Sequence, residues 1–303
     1  MDSAGVASRL GVVGRLAPTP SGYLHVGNAV NFLLTWLLVR QAGGTLHLRI
    51  DDLDRARLRR PYLKNIFQVI DWLGIDYDAG PSGPDDFLRH HSQLLHLPEY
   101  NQALRRLAQQ PGLVYASQRS RTGVTAEALV ALDTPGVAWR AKVVPSTSIG
   151  WSDGWQQALQ VPLAAEMPDF IIRKKDGVAA YQLASVLDDL RLATTLIVRG
   201  LDLRPSTAAQ LWLASQLSET SGFNARRIRF YHHGLLTDAA GYKLSKSTQA
   251  AGDEGVLTQF ATPVPVYQQV ARMLSLPPEA GESLPALQAV ARTFQFAHEH
   301  SEF

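Results

Sequence analysis

The apolar positions change period twice in the first fifty residues. "LGVVGRLA" (10–17) is a short apolar run with β-branched residues, stopped by Pro18 and Pro20, and predicts a strand. After "TPSG", Val26, Val30, Leu33, Leu34, Leu37 and Leu38 recur at helical spacing until Gly43 and Gly44 end the pattern. "TLHLRI" (45–50) then alternates as a strand does. Strand, helix and strand in such close succession predict a βαβ unit with parallel strands and a right-handed crossover. Ligands in sheets of this kind sit beyond the carboxyl ends of the strands. Both "APTPSG" (17–22) and "DDLD" (51–54) fall there, so two loops rich in polar chemistry become neighbours.

A second helix is predicted at "LKNIFQVIDWLG" (63–74). From about 80 to 165 the texture changes, with "DAGPSGPDD", "QQPG", "TPGVAW" and "WSDGW" marking frequent turns around short elements. This stretch is expected to be an insertion beside the sheet. The α/β texture resumes with "DFIIRKKDGVAAYQLASVLDDL", the strand "TTLIVRG" (194–200), a helix around 205–220, and "IRFYHHGLL" leading into the loop "TDAAGYKLSKS". Beyond residue 250 the pattern is weakly periodic and helical at most. The fold class expected is α/β, a doubly wound parallel sheet with an inserted subdomain and a short helical C-terminal segment.

Composition narrows the picture further. Hydrophobic residues make up 46% of the 303 and charged residues 18%, enough for a sizeable core. The absence of cysteine excludes disulfides, thiolate zinc sites and cysteine nucleophiles. The longest apolar stretch, "AVNFLLTWLLV" (29–39), is shorter than the roughly 20 residues a membrane-spanning helix needs. No basic and apolar leader precedes it, so a cytoplasmic protein with no membrane partner is expected. A net charge of +2 does not announce a nucleic-acid binder, but "RARLRR" (55–60), "QRSR" (118–121) and "RRIR" (226–229) are local basic clusters.

Two segments carry the chemistry. In "GRLAPTPSGYLHVGNAVNFLLTW" (14–36) a loop opens directly into the first helix, whose unpaired amide groups and partial positive charge suit phosphate. Gly22 and Gly27 remove side chains where a nucleotide would approach the backbone, and His25 can donate to a phosphate oxygen from the first turn. The second segment, "KLSKS" (243–247), places Lys243 and Lys246 on one flexible turn, with Ser245 between them. Two ammonium groups there can neutralise a pyrophosphate and stabilise the charge that builds as phosphorus is attacked.

In that combination and order the two motifs resemble the His-Ile-Gly-His and Lys-Met-Ser-Lys-Ser signatures of class I aminoacyl-tRNA synthetases. "RLAPTPSGYLHVG", "LRIDDLD", "YQLASVLDDL" and "IVRGLDL" look like the glutamyl branch of that family, above all its short members that act on queuosine. The resemblance covers about residues 10 to 250. It implies a Rossmann-like catalytic domain in two halves, 1–80 and 166–250, an insertion subdomain at 81–165, and a short segment at 251–303 in place of an anticodon-binding domain. It also implies roles. Arg15 would grip a substrate carboxylate, Thr19 would lie near the α-carboxylate, Asp51 would pair with the ammonium group, and Tyr181 and Arg199 would complete the amino-acid contacts. Gly22, His25, Gly27, Asn28, Lys243, Ser245 and Lys246 would hold ATP, with His25, Lys243 and Lys246 catalytic. Taken one at a time the residues leave other readings open: Arg15 or Arg199 as ordinary ion pairs, Asp51 as a helix cap, Tyr181 as a core residue.

The chain departs from the family's pattern in two places. Short members carry a Cys-x-Cys zinc knuckle after a tyrosine of the insertion; here "YASQRSR" puts Ser117 and Arg119 at the thiolate positions, so no zinc is expected. Asp51 stands where glutamyl enzymes usually have Glu and glutaminyl relatives have Asp, which leaves glutamate against glutamine open. What the resemblance implies is a monomeric ligase that uses ATP with Mg²⁺ to activate glutamate and transfers it to queuosine in the anticodon stem-loop of tRNA(Asp). A tRNA-independent adenylating ligase and a non-catalytic synthetase-like paralogue are the alternatives.

Overall fold

Strand β1 (Val13–Leu16) forms where β-branched residues precede the prolines, and it pairs in parallel with β2 (Thr45–Leu48), Val13 opposite Thr45 and Leu16 opposite Leu48. The structure, a computed structural model, describes residues 11–117, 129–234 and 255–293. Helix α1 (Val26–Gln41) joins the two strands and is apolar almost all round, as suits a helix with neighbours on both sides. Gly14 sets how closely it lies on β1. A Cβ there would fall 2.3 Å from Val39 Cγ2. Helix α2 (Arg60–Trp72) begins at a Pro in its first turn and returns the chain.

The main sheet has the order β2-β1-β9-β10-β6-β7, where β6 is Ile149–Asp153, β7 Gln157–Val161, β9 Leu196–Gly200 and β10 Arg229–His233. Pairing is parallel from β2 through β6, and only the edge strand β7 runs antiparallel. Side chains alternate across the sheet. Leu196, Val198 and Tyr231 enter a core built with α1, while Ile197 and Phe230 enter a second core built with the Tyr181–Arg191 and Arg204–Ala214 helices. The sheet is therefore covered on both faces, as the sequence pattern predicts.

A second, antiparallel sheet of order β4-β3-β5-β8 comprises β3 (Val114–Ser117), β4 (Leu129–Val130), β5 (Ala138–Ala141) and β8 (Ile171–Arg173). The β6–β7 hairpin arises within the 81–165 stretch yet pairs with β10 of the main sheet, through Phe230 and Asp153. Gly154 at its tip lies against the ring of Tyr231, where any side chain would collide. The C-terminal helices Val264–Met273 and Leu284–Thr293 pack on the outer side of α1 and add Val266, Tyr267, Val270 and Leu287 to its core. Tyr267 Oη donates to the Leu73 carbonyl (3.0 Å), which fixes them to the end of α2.

Candidate active site

At the carboxyl ends of β1 and β2 the ladder continues into the loops. Arg49 N donates to Leu16 O and Asp51 N to Pro18 O, each at 2.9 Å, so "APTPSG" and "DDLD" are stitched side by side. The loop then caps α1. His25 Nδ1 accepts from Gly27 N (3.1 Å), and the Asn28 side chain accepts from His25 N (3.1 Å), a reciprocal capping box. With Nδ1 accepting, the proton of the neutral ring sits on Nε2, which makes that nitrogen a donor.

Arg15, His25, Gly27, Asn28, Asp51, Tyr181 and Arg199 all line one cleft of about 230 Å³. Its floor is a buried ionic cluster. Arg15 Nε and Arg49 Nη1 both donate to Asp189 Oδ1, at 2.9 and 2.7 Å. Arg49 also binds Asp51 with two parallel bonds, Nε to Oδ1 at 2.7 Å and Nη2 to Oδ2 at 3.1 Å. Arg15, Arg49, Asp51, Asp189 and Arg199 are each less than a tenth exposed. Three guanidinium groups thus face two carboxylates. Burying that excess cation is costly unless an anion completes it. Two buried polar atoms of the cluster, Arg199 Nη2 and Asp189 Oδ2, have no partner among the described residues.

The electrostatics follow from this packing. Burial pulls the Arg15 pKa below its ordinary value despite Asp189. Burial also opposes charge on Arg49, but Asp51 and Asp189 outweigh it and hold its pKa well above the ordinary value. Asp51 is raised by burial, which Arg49 only partly offsets. Burial acts to raise Asp189 as well, yet Arg15, Arg49 and Arg199 together bring it below the usual carboxylate range.

Thr19 lies off this cleft and lines an adjoining cavity of about 540 Å³ with Asp51, Gln93, Lys174, Tyr181 and Ser185. Tyr181, the first residue of its helix and 44% exposed, lines both spaces and so is no core residue. Asp51 caps no helix. Gly22 lines neither space, and a Cβ there would meet nothing within 4 Å. Lys243, Ser245, Lys246 and Arg119 lie outside the described residues.

Several residues of the site were not singled out from sequence. Arg49 and Asp189 stand inside the quoted motifs "LRIDDLD" and "VLDDL", but only pairing across the fold shows that they hold the other charges. Asn31 Nδ2 meets His233 Nε2 (3.3 Å) at the far side of the cleft, two residues whose side chains had no motif to mark them.

The chain belongs to the family described as tRNA synthetases class I (E and Q), catalytic domain, whose model matches residues 11–129 and 131–303. Among curated relatives it is similar to the Glutamyl-Q tRNA(Asp) synthetase of Prochlorococcus marinus (strain MIT 9303), 34% identical over 90% of this chain and 85% of that one. The protein of the same name from Nitratidesulfovibrio vulgaris is 35% identical over 78% of each chain. The crystal structure of the glutamate-tRNA synthetase from Elizabethkingia anophelis superimposes with a TM-score of 0.71 at 21% identity, covering 94% of this chain and 67% of that one, and shares the fold.

Proposed function

We propose that this protein activates glutamate with ATP and transfers the glutamyl group to queuosine in the anticodon stem-loop of tRNA(Asp). The observation that carries the reading is the buried cluster of three guanidiniums against two carboxylates, which a ligand bearing carboxylates would neutralise. The name of the relatives at 34% and 35% identity supports the acceptor, and favours an RNA acceptor over a tRNA-independent ligase or a paralogue without turnover.

In the first step the glutamate α-carboxylate attacks the α-phosphorus of ATP and pyrophosphate leaves. Arg15 and Arg199 bind substrate carboxylate oxygens, Tyr181 and Thr19 border the amino acid, and Asp51, shared with Arg49, faces the ammonium. Because both Asp51 oxygens already accept from Arg49, its orientation is set before substrate arrives. Gly27, Asn28 and His25 receive the nucleotide at the amino end of α1, with Gly22 in the loop before them. Lys243, Ser245 and Lys246 bind the phosphates, and the charge of the two lysines stabilises the transition state. No covalent intermediate with the protein is needed.

Mg²⁺ would accompany the ATP phosphates and neutralise part of their charge. Among the described residues no group of three or more His, Asp or Glu is placed to hold a metal ion. In the second step a hydroxyl of the queuosine ring attacks the adenylate carbonyl and AMP leaves. The adjoining cavity of about 540 Å³ is more than twice the cleft and opens from it past Asp51 and Tyr181, which suits a bulky acceptor ring.

Residues 1–80 and 166–250 serve as the two halves of the catalytic domain, 81–165 as an insertion subdomain, and 251–303 as a short helical segment. The protein acts as a cytoplasmic monomer. No described helix is long and apolar enough to cross a membrane. ATP–pyrophosphate exchange run with each amino acid tests the first step: exchange should depend on glutamate and proceed without tRNA, and exchange with none of them would end the proposal.

A further inference from the structure

Arg199 is held from behind by a chain of buried groups drawn from three other elements. Its Nη1 donates to Thr207 Oγ1 (3.0 Å) on the Arg204–Ala214 helix. Thr207 Oγ1 lies 2.9 Å from His232 Nε2 on β10, and His232 Nδ1 lies 2.5 Å from Asp153 Oδ2 at the end of β6. Asp153 Oδ1 in turn accepts the backbone N–H groups of Trp155, Gln156 and His232, each at 3.1 Å. Asp153, Thr207 and His232 are all at most 4% exposed, and Arg199 is 3% exposed.

The carboxylate can only accept, so His232 Nδ1–H donates to Asp153. The single hydroxyl proton of Thr207 has His232 Nε2 at 2.9 Å and Leu203 O at 3.4 Å within reach, and with either arrangement the Thr207 oxygen accepts from Arg199. The guanidinium is thereby anchored through Nη1 while Nη2, buried and unpartnered among the described residues, belongs to a side chain that lines the cleft. A planar guanidinium fork binds a carboxylate well only when its plane is fixed.

We propose that Asp153, His232 and Thr207 are positioning residues that fix the plane of Arg199 and so set the affinity for the amino-acid substrate. The chain begins on the β6–β7 hairpin, so an element from the 81–165 stretch reaches the cleft without touching it. The inference rests on the reading of the cleft as a glutamate site.

The test is calorimetric titration of wild type, Thr207→Val, Thr207→Ser and Asp153→Asn with glutamate and, separately, with ATP, alongside thermal melting. Thr207→Val keeps the side-chain shape and deletes the hydroxyl. It should raise the Kd for glutamate about 10- to 100-fold, the cost of a lost hydrogen bond to a charged group, and leave the Kd for ATP within about twofold. Thr207→Ser should restore glutamate affinity to within about threefold of wild type, and Asp153→Asn should shift it in the same direction as Thr207→Val by a smaller factor. A merely structural network would lower the melting temperature and the binding stoichiometry while leaving Kd for glutamate unchanged, or would raise both Kd values alike; either result overturns the proposal. Should Thr207→Val fail to fold, Asp153→Asn decides by the same split. Glutamate bound by wild type without pyrophosphate exchange would count against the proposed activity alone.

Discussion

Asp189 is the residue on which the other charges of the cleft depend. It takes two guanidinium donors, and removing its charge would leave Arg49 with Asp51 alone and Arg15 buried without an ion-pair partner among the described residues. Asp189→Asn is therefore expected to cost about 3–5 kcal/mol of stability near neutral pH, measured by chemical denaturation. The effect has a pH signature. The folded-state pKa of Asp189 lies below its ordinary 3.8, so its contribution is complete above that value and is lost as pH falls through the folded value. The difference between wild type and Asp189→Asn should narrow below about pH 4; a difference that stays constant there would contradict the assignment. Arg15→Ala should weaken glutamate binding far more than ATP binding, and equal losses would point to a collapsed site. Arg15 and His25 were legible because their motif is local. Asp189 was not, because its partners stand 174 and 140 positions away and spacing along the chain says nothing of pairs so distant.

At the scale of the element, the proposed mechanism gives the amino end of α1 two jobs through one side chain. His25 caps the helix with Nδ1, and in the proposed mechanism its Nε2 faces phosphate. The two separate by substitution. His25→Ala should lose about 1 kcal/mol of stability with the cap, together with most pyrophosphate exchange. His25→Asn, a good N-cap, should hold stability within a few tenths of a kcal/mol and still lose exchange. Recovery of exchange in His25→Asn would reduce the histidine to a cap. The first βαβ unit could be read from its change of period, and its strands pair in parallel as expected. The β6–β7 hairpin could not be placed, because the strand it pairs with lies far downstream in the sequence. Nor did the last helices stand out, since each is only 10 residues long.

Across the whole molecule, the proposed mechanism draws its catalytic groups from distant parts of the chain. The proposed mechanism needs Lys246 to meet the nucleotide held at α1; Lys246→Ala should slow exchange by two or more orders of magnitude, on the order of 3 kcal/mol of transition-state stabilisation. Near-normal exchange would remove that lysine from the mechanism. The sheet also explains why the two proposed chemistries can sit together: β1, β2 and β9 end at one rim, so the arginines proposed to bind carboxylate and the helix start proposed to bind phosphate share a cleft. The acceptor is the claim that sets this account apart from that of a general glutamate-activating enzyme. Transfer of labelled glutamate to tRNA(Asp), compared between molecules with and without queuosine, addresses it directly. Label should appear only on the queuosine-containing tRNA and stay with the anticodon fragment after cleavage; equal labelling of both, or label at the 3′ end, would contradict it.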